Sequence, residues 1–314
     1  MIHFLTVVWG GYVQLYLDVV IPAQLTAGNL PAAGNCRYII FTTREDRRTI
    51  EAAPIFRKLR KTVPVTFEFA DDNRSKYRRV SMCLRRGIGA ANREGAACVF
   101  LCPDIVFADG AFAAVVRLAQ DHDVVYLPVI RTLKEAAASI VHPVTPRALM
   151  RFALANLHPL AYCSFWQEGG ADLIPANLYW RVGDQGILAR CYHLHPLYVR
   201  PQVNVWQFNG TIDNAYCDVA CPDASRDYVI TDSDELCAVE LSDQSHYFTH
   251  NVRKGDVQAI ALWAQKHATP RHRLLFERTI RLHTGITNEA AWQQIILRAD
   301  AIACEIKDHP SARG

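Results

Sequence analysis

The segment Ala97-Cys98-Val99-Phe100-Leu101-Cys102-Pro103-Asp104-Ile105-Val106-Phe107-Ala108-Asp109-Gly110 limits the possible folds of this chain more than any other. Its opening residues are apolar without alternation, so a strand built from them must be covered on both faces. The run ends abruptly at Asp104, and Asp109-Gly110 turns the chain into an apolar helical stretch. A doubly covered strand followed by a helix belongs to an α/β sheet. In open α/β sheets ligands bind beyond the carboxyl ends of the strands. Asp104 therefore stands where such a sheet keeps its chemistry.

The preceding residues repeat the pattern. Residues 2–9 read as a buried strand ending at Gly10-Gly11, and Tyr12, Leu15, Tyr16, Val19 and Val20 mark a helix. Further strands are expected at 37–43, 63–69, 97–102 and 123–129. A charged helix should follow Glu45, and an amphipathic one should cover 74–94, with Val80, Cys83, Leu84, Ile88 and Ala91 on its apolar stripe. Alternating strands and helices imply right-handed crossovers and a mainly parallel, Rossmann-like sheet. Beyond a helix at 145–157, the aromatic, glycine-bearing segment 162–176 reads as a loop or lid. Strands are expected at 187–195 and 203–209, a hairpin at 227–241, and helices near 254–267, 270–282 and 288–304. The expected organisation is a catalytic domain over 1–250 with a helical C-terminal extension over 251–314.

A formal charge of +3 in 314 residues does not argue for nucleic acid, and no zinc-finger spacing or basic aromatic platform supports that partner. Basic residues do cluster at 57–61 and 74–86, as a solvated helix face or as contacts to a diphosphate or an acidic membrane surface. The ten cysteines lack a Cys-x-x-Cys pair, Cys217 and Cys221 being the nearest approach. Cys83, Cys98, Cys191 and Cys304 sit in apolar runs, where a thiol acts as a small hydrophobe. With no basic n-region or cleavage site at the start and no apolar run of about 20 residues, the expected location is cytoplasmic, with peripheral membrane contact left open.

A parallel sheet whose fourth strand ends in acidic residues resembles the GT-A glycosyltransferase fold, and the phrase from Phe100 to Gly110 resembles segments of little-characterised bacterial transferases of that fold. The family's Asp-x-Asp falls on Cys102-Pro103-Asp104, so Asp104 keeps the second aspartate while Cys102 replaces the first. The resemblance implies transfer of a sugar from a nucleotide-diphosphate sugar to a hydroxyl of a glycan, lipid-linked or protein acceptor, as in bacterial glycan synthesis. It implies Mn2+ or Mg2+ held by Asp104, with Asp109 and the downstream His195 as further ligands. A cation or basic side chains would stabilise the charge on the departing nucleotide. Thr6, Trp9 and Gly10, at the end of the first strand, would cradle base and ribose. Asp71, Arg74 and Lys76 would meet the nucleotide and its diphosphate.

His193 and His195 are two apart, so on one strand both would face one way. Asp213, Asp232, Asp234 and Glu235 are candidates for the carboxylate that takes the acceptor's proton, although Asp, Asn, Ser and Gly are also what ordinary turns use. Two other readings stand beside the transferase. One is a sugar-phosphate nucleotidyltransferase, which usually has a basic glycine-rich loop after its first strand, unlike Gly10-Gly11-Tyr12. The other is a non-catalytic binder of sugar nucleotides or glycans, which Cys102 keeps open.

Overall fold

Ile2–Val7 (β1) and Ala97–Leu101 (β4) are buried along nearly their whole length, as uninterrupted apolar runs require. They pair in parallel, Ile2 opposite Ala97 and Thr6 opposite Leu101. On the far side of β1, Cys36–Thr42 (β2) also runs parallel, followed by Val65–Phe69 (β3). This computed structural model describes all residues except 71–74, 167–171, 174–175, 209–210, 246–252, 255 and 311–314. Ile105–Phe107 (β5) follows β4 after a turn.

The seven-stranded sheet is completed by Val124–Leu127 (β6), His195–Val199 (β11) and Asp227–Val229 (β12), in the order β12-β6-β11-β4-β1-β2-β3. The class is α/β with a mostly parallel central sheet, as expected. One departure is β11, which lies between β4 and β6 and runs antiparallel to both. The strand order reverses between β1 and β4. Crevices for ligands open at such switch points.

The helix Lys76–Arg93 lies against β1 and β4 and buries Cys83, Leu84, Ile88 and Ala91 of the expected apolar stripe, with Val80 only partly buried. A helix covers residues 12–24, with a π-helical middle at Tyr16–Val20. The charged helix after Thr43 is two helices, Arg44–Ala52 and Pro54–Thr62. Pro54 cannot donate to the preceding turn, so it opens a new helix.

By contacts the chain divides into two compact units that interleave in sequence. The first contains Met1–Leu127, Ala138–Thr145 and His195–Tyr228; the second contains Pro128–Ala137, Pro146–Leu194 and Val229–Gly314.

In the second unit, Ile130–Leu133 (β7) pairs in parallel with Ala238–Ser242 (β13), and Asp172–Leu173 (β8) pairs with Arg253–Lys254 (β14). Asn177–Val182 (β9), Gly186–Cys191 (β10) and Ile280–His283 (β15) form an antiparallel sheet. Its core contains Trp180, Leu188, Tyr192, Phe276 and the fully buried Trp292, with the helices Val257–His267 and Glu289–Asp308 supplying its cover. A Cβ on Gly186 would lie 2.1 Å from the Leu282 carbonyl oxygen, so the tight approach of β15 needs glycine. Arg190 ties helices to this sheet, donating to the Phe276 and Glu277 carbonyls, both at 3.1 Å, and pairing with Asp300.

Several expected elements resolve differently. The strand at 187–195 is two, β10 and β11, so His193 lies in a connection while His195 opens a strand of the other unit. The expected hairpin at 227–241 does not form: β12 joins the seven-stranded sheet and β13 pairs with β7. Residues 203–208 are irregular rather than a strand. The expected helix 270–282 stops at Phe276, because Ile280–His283 is drawn into the sheet. Cys304 is exposed, whereas Cys83, Cys98 and Cys191 are buried as expected, and none of the ten cysteines is in a disulfide.

Candidate functional site

A cavity of about 350 Å3 opens at the switch point, beyond the carboxyl ends of β1 and β4. Val7, Trp9, Gly10, Gly11 and Tyr12 come from the end of β1 and the following turn. Phe100 to Asp104 come from the end of β4. Lys76, Val80 and Leu84 share one stripe of the helix Lys76–Arg93, and Ile212 completes the wall. The lining is chiefly apolar, with a few polar groups at its edge, a common form for small-molecule sites.

The turn that forms one wall is held open by backbone conformation. Gly10 has φ +58°, a left-handed conformation that a side chain would strain. Its N–H donates to the Asp46 carboxylate at 3.0 Å. Asp46 also accepts from the Thr43 hydroxyl at 2.8 Å, while Thr43 caps the helix Arg44–Ala52 by accepting from the Asp46 N–H at 3.1 Å.

Two cations stand beside the two aromatic rings of the turn. The Lys76 ammonium lies 4.9 Å from the centre of the Tyr12 ring and 3.4 Å from its hydroxyl. The Arg79 guanidinium lies 5.0 Å from the centre of the Trp9 ring. Such pairs place positive charge against π-faces; Lys76 itself lines the cavity, while Arg79 reaches it through the Trp9 ring. An apolar slot of this kind accepts a flat ring, and the cations accept its anionic substituents.

Of the residues expected from the sequence, the cavity brings together Trp9, Gly10, Lys76 and Asp104. Thr6 is buried within β1 and does not line it. Asp71 and Arg74 lie outside the described residues. Asp109 does not line the cavity either: its Oδ1 accepts the Gly28 N–H at 2.7 Å, and the adjacent helix Ala111–Leu118 is anchored by Asn29, whose Oδ1 accepts the Phe112 N–H at 3.1 Å. His195 Nε2 lies 2.8 Å from the Phe100 carbonyl oxygen, a contact that makes this nitrogen the donor and withdraws it from metal ligation. Asp213 follows Ile212 on the π-helical turn Ile212–Tyr216.

Mn2+ or Mg2+ takes oxygen ligands, typically carboxylates together with substrate phosphates. Among the described residues Asp104 is the one carboxylate on the cavity lining, to which Cys102 also contributes. With Asp109 committed to Gly28, the described lining residues offer a cation one carboxylate, that of Asp104. Among the described residues the other ionised lining group is Lys76, a cation.

The expected carboxylates Asp234 and Glu235 belong to the second unit, where a separate cluster forms. Ligand atoms of Asp232, Asp234 and His283 all lie within 4.8 Å of one another, a geometry able to hold a cation. Each carboxylate already has protein partners. Asp232 Oδ1 lies 2.9 Å from His283 Nε2, and Arg147 grips Asp234 with both Nε and Nη2, the latter at 2.7 Å. That fork holds the Asp234 carboxyl below its usual range, with His283 adding to the effect. A carboxylate so stabilised is a weak proton acceptor. Likewise His158 is buried structure: Nδ1 accepts the Leu160 N–H at 3.1 Å, and Nε2 lies 3.0 Å from the Asp243 carbonyl oxygen.

Asp46 and Arg79 were not singled out by sequence reasoning. Asp46 sits one helix away from the turn it supports, and Arg79 carried no signal beyond the basic cluster around it.

No protein-family model matches the chain, and no curated protein matches it. Among solved structures, residues 1–349 of S. aureus TarS in complex with UDP-GlcNAc align with a TM-score of 0.43 at 11% identity, covering 98% of this chain and 71% of that one. TarS 1–349 without ligand gives 0.38 at 10% identity, covering 100% and 74%. A UDP-glucose pyrophosphorylase complexed with UDP-glucose gives 0.31 at 11%, covering 77% and 91%. The match to a longer TarS structure spans only 22% of that chain. Likeness at this level defines neither a family nor an activity. The class of this protein is that of its own sheet: α/β, mostly parallel, with a cavity at the switch point.

Proposed function

We propose that this protein is a glycosyltransferase that takes its donor, a nucleotide-diphosphate sugar, in the cavity between β1 and β4 and works in the cytoplasm, where free thiols stay reduced. The observation that carries the reading is the combination of Trp9, Tyr12, Lys76, Arg79 and Asp104 at the topological switch point. The base lies on the apolar floor beside Trp9 or Tyr12. The diphosphate faces Lys76 and Arg79, which offset the charge that grows on the leaving nucleotide. Backbone N–H groups of the Gly10-Gly11 turn can approach a ligand closely, since no side chain intervenes.

Asp104 is assigned to the sugar or diphosphate side of the donor, and Asp213 to the acceptor's proton. Asp234 is a poor candidate for that proton, given its hold by Arg147. The acceptor hydroxyl loses its proton as its oxygen attacks the anomeric carbon, and the bond to the diphosphate oxygen breaks. With Lys76 and Arg79 present, charge stabilisation in this reading does not depend on a divalent cation.

The test is nucleotide release from UDP-, GDP- and ADP-sugars, with and without glycan acceptors, by wild type and by Asp104→Asn. Release of one nucleoside diphosphate by the wild type, lost in the folded variant, supports the assignment. Equal release by both contradicts it. Pyrophosphate release from a nucleoside triphosphate and a sugar phosphate would favour a nucleotidyltransferase instead.

A further inference from the structure

The helix Lys76–Arg93 carries a second feature one residue around from the stripe that faces the donor cavity. Tyr77, Arg78, Ser81 and Arg85 line a separate groove of about 530 Å3, closed on its other side by Trp206 and Thr211. Thr211 borders this groove while its neighbour Ile212 borders the donor cavity. The two hollows thus share one helix and one chain segment.

The groove joins aromatic surface to positive charge. Tyr77 is 59% exposed and Trp206 46% exposed, so both rings present a face to the groove's solvent side. Trp206 ring atoms lie about 3.8 Å from where a Cβ on Gly89 would stand, so the glycine leaves room for the indole to approach the helix. Arg78, Arg85 and Arg86 line the groove itself, and Arg93 lies on its continuation. Arg85 is fixed by donating to the Phe208 carbonyl, and Arg86 pairs with Glu68. Among the described residues neither Arg78 nor Arg93 has an ion-pair partner. Aromatic faces stack on sugar rings, and guanidinium forks bind carboxylate or phosphate groups in pairs of hydrogen bonds.

We propose that this groove binds an anionic saccharide chain, whose rings rest on Trp206 and Tyr77 and whose acidic groups meet Arg78 and Arg93. Its role as the acceptor rests on the donor reading above; its binding chemistry does not.

The probes are hexagalacturonate, its fully methyl-esterified neutral counterpart and a thymidine hexanucleotide, each titrated against wild type, Trp206→Ala and Arg78→Ala. Nucleoside-diphosphate binding and thermal melting are measured in parallel. The proposal expects the acid to bind at least about tenfold tighter than the ester, a difference that salt reduces. Trp206→Ala should weaken the acid about tenfold and Arg78→Ala severalfold, with nucleoside-diphosphate affinity unchanged in both. Equal binding of acid and ester, no saturable binding of the acid, tighter binding of the oligonucleotide, or an unaffected Trp206→Ala would overturn it. Loss of nucleoside-diphosphate binding in the wild type is a different result: it removes the donor reading and leaves the saccharide preference standing or falling on its own titration.

Discussion

The Asp46 carboxylate accepts the Gly10 backbone N–H at 3.0 Å, joining the start of the helix Arg44–Ala52 to the turn that walls the donor cavity. One carboxylate therefore braces both the capping Thr43 and the left-handed glycine turn. Asp46→Ala should cost about 1 kcal/mol of stability through the lost hydrogen bonds from Gly10 N–H and the Thr43 hydroxyl. It should also weaken nucleoside-diphosphate binding severalfold although Asp46 does not line the cavity. Calorimetry on the folded variant checks this; unchanged affinity would mean that the turn holds its shape without Asp46.

Lys76 stands beside the Tyr12 ring, 4.9 Å from its centre. Placing the diphosphate there predicts a selective loss. Lys76→Ala should weaken a nucleoside diphosphate about tenfold, as expected for losing one charge-assisted contact, and leave the nucleoside nearly unaffected. Comparing the two ligands in one titration series separates charge from stacking. Equal losses for both would move Lys76 away from the phosphates.

Acid sensitivity follows from two imidazoles of the first unit. Burial lowers the pKa of His3, outweighing the Glu94 carboxylate 3.2 Å from its Nε2, and burial likewise lowers that of His142. In the unfolded chain both titrate near 6.5. Between that value and the lower folded ones the unfolded state holds more protons, so stability increases with pH. The contribution is complete above about 6.5 and disappears as pH falls through the folded values. Urea midpoints measured from neutral to mildly acidic pH should decline, and His3→Gln should flatten that decline. A His3→Gln slope identical to wild type would contradict the assignment to His3.

Gly186 has the Leu282 carbonyl oxygen 2.1 Å from its missing Cβ. Gly186→Ala should push β15 from β10 and destabilise the second unit by roughly 1–3 kcal/mol, the usual cost of overpacking. Thermal melting would show it as a lowered Tm, and a melting curve like wild type would refute the close approach.

The strands β1, β2 and β4 were readable as largely apolar runs of strand length and β3 as an alternating one, and the cavity residues Trp9, Gly10 and Asp104 follow directly where two of the apolar runs end. Lys76 was readable as a cation at the start of an amphipathic helix. What the sequence concealed is non-local. Nothing near His195 tells that its strand inserts antiparallel between β4 and β6, or that its Nε2 meets Phe100, 95 positions away. Asp109 looked like a ligand because its partner, the Gly28 N–H, is 81 positions distant. The run Thr231-Asp232-Ser233-Asp234 has the composition of a hairpin turn, yet Asp232 bridges Arg281 and its side chain meets His283. Local composition describes a turn in both cases; only the distant partner decides what it does.

The central claim is that the cavity between β1 and β4 binds a nucleoside diphosphate. Isothermal titration of UDP, GDP and ADP into the protein, once with EDTA and once with Mn2+, tests it most directly. The account predicts saturable binding of at least one of them at one site per chain, largely preserved in EDTA and weakened by Trp9→Ala and Lys76→Ala. Absence of saturable heat for all three in both buffers, or binding that both variants leave untouched, would contradict it.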